Sequence, residues 1–229
     1  MNAHETFTEA KRVTTAEEVY RQLKSDIVSL RLAPGTKLSE VEVAKTCNVS
    51  RQPVREAFMR LGELNLLEIR PQRATRVRKI SLKELHHTRF LRAAVEVEVV
   101  RVACEVATQE SLELIQDNLD QQKIAVDKND PVFLHELDFQ FHRLICVAAD
   151  CLPAFKTIAE NKTHTERVCT LELSDSCGME EVLEGHTKIF NALKSRDETT
   201  AVEMIRVHLK HLDATLAKAY ENYPNYFVE

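Results

Sequence analysis

The 229-residue sequence predicts a mainly α-helical chain in two parts: a small N-terminal unit of three helices and a β-hairpin, then an antiparallel all-helical bundle. Three observations carry this. Only four glycines and no tryptophan accompany many Ala, Leu, Glu and Lys, a composition that favours helix. Apolar residues recur at helical spacing through most of the chain. The charge is also divided unevenly: residues 1–80 hold 15 Lys and Arg against 10 Asp and Glu, and the remainder holds 16 against 26. A basic front and an acidic back suit a protein that grips a polyanion at one end and repels it at the other. The expected divisions are a flexible polar arm over 1–13, a first unit over 14–79 and a second over 80–229.

In the first unit, Val19, Leu23, Ile27 and Leu30 recur at helical steps from Thr15, and Ala33-Pro34-Gly35-Thr36 reads as a turn. The stretch 38–60, LSEVEVAKTCNVSRQPVREAFMR, then reads as two helices joined by a tight corner. Val41, Ala44 and Val49, followed by Val54, Phe58 and Leu61, give each helix one apolar face. The break falls at Cys47-Asn48-Val49, and Ser50 stands where an N-cap is wanted, its hydroxyl expected to accept from a free amide of the first turn. Pro53 is still early enough to be tolerated. The exposed face of this second helix carries Arg51, Gln52 and Arg55, where a recognition helix places its base and phosphate contacts. A helical hairpin with a solvated basic face is the plain alternative.

After it, 66–70 and 75–78 alternate apolar and polar residues around Pro71-Gln72-Arg73-Ala74, which reads as a hairpin. A hairpin that follows a helix-turn-helix is a wing, and Arg70, Arg73, Arg76 and Arg78 are placed to reach phosphates or a minor groove. The expected first unit is therefore a winged helix-turn-helix.

The bundle begins at once, because Ser81-Leu82-Lys83-Glu84 has the form of a capping box. Six helical segments are expected, over 81–107, 111–128, 131–149, 152–173, 179–195 and 199–222, with Asp130 before Pro131 and Asp197 as caps. Six cysteines contain no CxxC pair and mostly sit in apolar helical patterns, which reads as reduced thiols in a cytoplasmic protein. The first residues lack the apolar run of a signal peptide, and no stretch reaches membrane-spanning length.

Within the bundle, Asp138 and His142 stand four apart on one helix face beside Phe139, Phe141 and Leu144. A carboxylate and an imidazole near apolar surface want partners, and a divalent cation satisfies both. His186 and His208 lie in later helices and would complete a shell; His135 and His211 are near enough to substitute. Spacing alone leaves open whether three helices converge, since a lone histidine is commonly just hydrogen-bonded or solvated.

LSEVEVAKTCNVSRQPVREAF resembles the winged helix-turn-helix of the GntR family of bacterial transcription regulators, and RLAPGTKLSE resembles the turn that precedes it there. The bundle resembles the FCD ligand-binding domain of the FadR subfamily through Arg92-Ala93-Ala94-Val95-Glu96, Asp138 with Phe141-His142, Glu184 with His186, and His208. The resemblance implies that Arg51 and Arg55 contact double-stranded operator DNA. It implies that Asp138, His142, His186 and His208 bind one divalent metal ion per chain, zinc first, with nickel, manganese or iron as alternatives. Arg92 would point into the same cavity and pair with a small organic acid effector, unless a salt bridge to Glu96 four residues on occupies it. A homodimer on a roughly palindromic operator is expected. The chain is read as a regulator and not an enzyme. A rival reading has the same aspartate and histidines activate water for hydrolysis, and another makes the metal itself the signal.

Overall fold

The computed structural model describes residues 14–70, 74–171, 176–210 and 212–228. The arm expected over 1–13 lies outside them. The chain divides into two compact units, Met1–Arg78 and Lys79–Glu229.

In the first unit α1 (Thr15–Val28) starts at Thr14, whose hydroxyl accepts from the Glu17 amide at 3.2 Å, and it buries Val19, Leu23 and Ile27. Gly35, at φ +88°, turns the chain, and its amide donates to the Val77 carbonyl at 2.8 Å. Strand β1 (Lys37–Leu38) leads into α2 (Glu40–Thr46), and Asn48 at φ 53° makes the corner before α3 (Arg51–Glu63). Ser50 stands at the N-cap position with extended backbone, but its hydroxyl makes no capping bond. An N-cap oxygen accepts from the second or third helical amide, and the third residue here is Pro53, which has none, so only the Gln52 amide is left to it.

The wing pairs β2 (Leu67–Glu68) with β3 (Thr75–Val77), and β1 adds to the far edge of β3, giving the antiparallel order β1-β3-β2. The sequence reading took β1 as part of the turn. Its partner Arg76 lies far along the chain, opposite Lys37, so no local pattern announces it. Val54, Ala57, Phe58 and Leu61 of α3 close on Val19, Leu23 and Ile27 of α1 and on Leu66, Leu67 and Val77 to make this unit's core.

The second unit opens with β4 (Ile80–Ser81) and the 25-residue α4 (Leu82–Val106), where Ser81 Oγ accepts from the Glu84 amide at 3.2 Å. Then come α5 (Gln109–Asp127), α6 (Pro131–Ala148), α7 (Ala154–Leu171), α8 (Ser176–Lys194), α9 (Glu198–Lys210) and α10 (Leu212–Asn222). Asp130 caps α6 through the Phe133 amide at 3.0 Å, and Asp197 caps α9 through the Thr200 amide at 3.0 Å. The predicted last segment is described as two stretches, α9 and α10, with residue 211 between them outside the described set. A short strand β5 (Phe227–Val228) pairs in parallel with β4, which the sequence reading did not foresee. Phe227 is buried there against Ile80, Leu85, Val168 and Ala219. The main core of the unit is built from Val100, Ala103, Ile115, Phe141, Ile145, Ile189, Leu193 and Ile205.

Arg196 closes one end of this core. It sits at φ 58°, a conformation that costs a non-glycine residue, and its guanidinium donates to the carbonyls of Cys104 at 2.8 Å and of Ala107 at the C-terminus of α4. Arg196→Ala keeps the backbone strain and loses these bonds. The expected result is a loss of about 1–3 kcal/mol, read from the urea transition by far-UV circular dichroism; an unchanged midpoint would show that water replaces the guanidinium without cost.

Candidate metal centre and nucleic-acid interface

Three helices of the second unit bring Asp138 and His142 of α6, His186 of α8 and His208 of α9 together, and one donor atom from each lies within 4.8 Å of the others. His186 Nε2 is 3.3 Å from both His208 Nε2 and Asp138 Oδ1. His142 Nε2 is 3.7 Å from Asp138 Oδ1 and has no hydrogen-bond partner, although it is buried. A buried donor or acceptor left alone costs about 1–3 kcal/mol, so this atom wants a partner that the protein alone does not provide.

The outer atoms of two rings face polar groups. His186 Nδ1 lies 2.8 Å from Gln122 Oε1, which makes Nδ1 the donor and leaves Nε2 with its lone pair facing His208. Gln122 is itself fully buried and donates to Asn118 at 2.7 Å. His142 Nδ1 is 2.6 Å from Glu96 Oε2, an ion-pair distance without hydrogen-bond alignment, and Glu96 accepts from Arg92 Nε at 2.8 Å. The His186 ring stacks on Phe141 with centroids 4.0 Å apart, and Gly185 lets His208 approach, since a Cβ there would stand 3.3 Å from His208 Nδ1. Burial pushes His208 well down from the usual imidazole range, helped by His186 and His142, and burial likewise lowers His186. Both rings are thereby held neutral, the state that ligates. Burial also pushes on His142, but Glu96 and Asp138 outweigh it and raise that ring. Asp138 is held well below the carboxylate range: burial opposes this, but Lys162 and the two histidines prevail.

These residues suit a divalent cation. Three imidazoles and one carboxylate, with Gln122 orienting His186 and the Glu96 carboxylate beside His142, form the donor set of a hard or borderline ion such as zinc. Asp138, His142 and His208 line a cavity of about 200 Å³, together with Arg89, Arg92, Lys162, Leu134, Met179, Val182 and Leu209.

Arg92 lines the same cavity, and its salt bridge with Glu96 is present. Only Nε is used: its terminal amino groups have no hydrogen-bond partner among the described residues, although the side chain is only 9% exposed. His135, 38% exposed, faces Glu166 at 3.2 Å on the cavity wall and does not join the donor cluster, and His211 is outside the described residues. Sequence reasoning missed Lys162, which binds Asp138 from α7, and Gln122. Lys162 had no signal in the sequence. Gln122 had a weak one: with Ser111 and Asn118 it sets polar residues on the helix face that carries Leu112, Ile115 and Leu119.

In the first unit, Arg51 and Arg55 project from the start of α3 and are 60% and 54% exposed. Both donate to Glu40 of α2, at 3.0 and 3.2 Å, and this pairing, Arg55 first, holds the Glu40 carboxyl below its usual range. Gln52 donates to Glu56 at 3.0 Å. Arg70 pairs with Glu68 at 2.6 Å. Arg76, expected on phosphate, donates to the Gly35 carbonyl at 3.0 Å and so braces the turn. Arg73 lies outside the described residues. No described helix is long and apolar enough to cross a membrane.

A helix-turn-helix with two exposed arginines at the head of its second helix, a three-stranded wing and a separate helical unit define a DNA-binding transcriptional regulator. Residues 15–77 match the family described as bacterial regulatory proteins, gntR family, and residues 88–211 match the FCD domain. The chain belongs to the GntR family of transcriptional regulators and carries an FCD domain. It is 38% identical over 213 residues to the HTH-type transcriptional repressor RspR of Escherichia coli K12, which covers 93% of each chain. The solved structure of E. coli McbR/YncC superposes with a TM-score of 0.78 at 23% identity, covering 91% of this chain and 99% of that one. A putative GntR regulator from Rhodococcus sp. RHA1 gives 0.73 at 21% identity, covering 90% and 98%. These two likenesses speak for the fold alone.

Proposed function

We propose that the chain is a cytoplasmic, homodimeric repressor whose operator affinity is set by a small organic acid bound at a divalent metal ion in the FCD domain. The observation that carries this reading is the meeting of Asp138, His142, His186 and His208 within 4.8 Å at the wall of a cavity, with His142 Nε2 buried and unpartnered. Zinc is the ion that this donor set favours. When bound, the ion would supply a fixed positive charge for an effector carboxylate. The chain's own part is to hold Asp138 through Lys162, to orient His186 through Gln122, to set the Glu96 carboxylate beside His142, and to offer the free amino groups of Arg92 as a second carboxylate contact. Repression is supported by the name of the 38% identical relative. A homodimer is supported by the usual match between paired half-sites and two-fold protein symmetry. Arg51, Gln52 and Arg55 read the major groove, and Arg70 and Arg73 contact the backbone from the wing.

Control follows from linkage: the acid must bind one arrangement of the bundle better than another, and DNA must then alter acid affinity by the same factor. The test is metal analysis of the purified protein, then operator titrations with candidate acids before and after chelation. About one ion per chain and an acid effect that chelation removes are expected. Absence of metal, or acids that bind without changing operator affinity, overturns the reading. Gln122→Leu, which leaves His186 Nδ1 without an acceptor, should weaken the metal by roughly 10- to 100-fold while the fold stays intact. A chelator competition measures it, and wild-type affinity would mean that Gln122 orients nothing.

A further inference from the structure

The cavity has a direction. On α4, Glu96 lies beside His142 at the donor cluster, Arg92 is one turn earlier and Arg89 another turn earlier, about 10 Å along the helix axis from Glu96. On α6 the lining runs the same way, from His142 and Asp138 through His135 and Leu134 to Pro131. The rest of the lining sets the apolar Leu134, Met179, Val182 and Leu209 beside Thr165, Thr215, His135 and Glu166. The cavity's far end therefore holds a second guanidinium.

Arg89 is 18% exposed, and its Nε is buried with no hydrogen-bond partner. Its amino group is met by the carboxylate of Asp213 on α10, a residue 57% exposed. A guanidinium offers two parallel N–H donors to one carboxylate, and Arg89 as found satisfies one edge only in part. Asp213, mostly in solvent, is a carboxylate that another can displace.

We propose that the effector is a short dicarboxylate, with one carboxylate at the donor cluster and Arg92, its methylene chain along the apolar part of the wall, and its second carboxylate on Arg89 in place of Asp213. The proposal rests on the acid-effector reading above. A cavity of about 200 Å³ suits such a small, elongated anion and excludes nucleotide-sized ligands.

The experiment is calorimetric titration of the zinc-loaded full chain with succinate, glutarate and adipate, and with butyrate, valerate and hexanoate as monoacids of matching length. At least one diacid should bind about tenfold or more tightly than its monoacid, since a charge-assisted pair in a secluded site contributes on that scale. Arg89→Gln should remove this advantage, lowering diacid affinity by a larger factor than monoacid affinity. Asp213→Asn should strengthen diacid binding, an effect that mere damage to the fold would not produce. Equal binding of diacid and monoacid by the wild type overturns the proposal, as does an advantage that survives Arg89→Gln. If no acid binds to protein shown to contain metal, the acid-effector reading falls with it; if monoacids bind and diacids gain nothing, that reading stands and only the dicarboxylate is wrong.

Discussion

His208→Ala is expected to lower metal affinity by at least about a hundredfold and to abolish the rise in melting temperature that added zinc produces in the wild type. A four-ligand zinc site contributes apparent binding on the order of 10–16 kcal/mol, so one ligand in four accounts for roughly 3 kcal/mol. His208 is the informative choice among the four. His186 is fully buried, stacks on Phe141 and bonds Gln122, and His142 meets Glu96, so truncating either would also open the core or strand a buried partner. His208 is only partly buried and its Nδ1 lies against Gly185. Its removal therefore takes away a donor with little else, and the metal-free variant should melt close to the metal-free wild type. Zinc that raises the melting temperature of His208→Ala as much as that of the wild type would exclude this residue as a ligand.

The second large effect belongs to the reading helix. Arg51→Ala should cost about 1–3 kcal/mol of operator binding per half-site and lower the slope of log affinity against log salt. Arg51 is exposed and pairs with Glu40, itself near the surface, so the fold should not notice the change. Arg76→Ala is a different kind of variant. Its guanidinium ties the wing strand to the Gly35 carbonyl, so a loss there would mix lost contact with a loosened turn. Electrophoretic mobility shifts at several salt concentrations separate the two, and an Arg51→Ala protein with unchanged affinity and slope would remove this arginine from the interface.

What could be read from the sequence was local. The pair Asp138 and His142 is visible because four residues is one helical turn, and Arg92 with Glu96 shows for the same reason. Caps at Ser81, Asp130 and Asp197 are likewise written within three residues of the amides they bind. His186 and His208 could be named as candidates but not brought to α6 by spacing, because their meeting is a matter of how three helices pack; the resemblance to a family singled them out. Lys162 and Gln122 were invisible in practice, as each acts across the bundle. The same holds for β1 and β5, two-residue strands whose partners are distant in the chain. At Ser50 the cap position was legible but its hydroxyl bond was not, since Pro53 removes one of the two amides that could supply it.

Glu40 has a consequence for how the regulator finds its operator. One carboxylate is shared by both arginines of the reading helix, so the face presented to random DNA carries less positive charge than its composition suggests. Non-specific association rests almost wholly on such charge, whereas a matched sequence offers directed hydrogen bonds that justify leaving Glu40. With Arg51 and Arg55 on DNA as proposed, residence on mismatched stretches would be shortened more than residence at the operator. The search would then be a run of brief visits, with the operator reached sooner than by two unrestrained arginines.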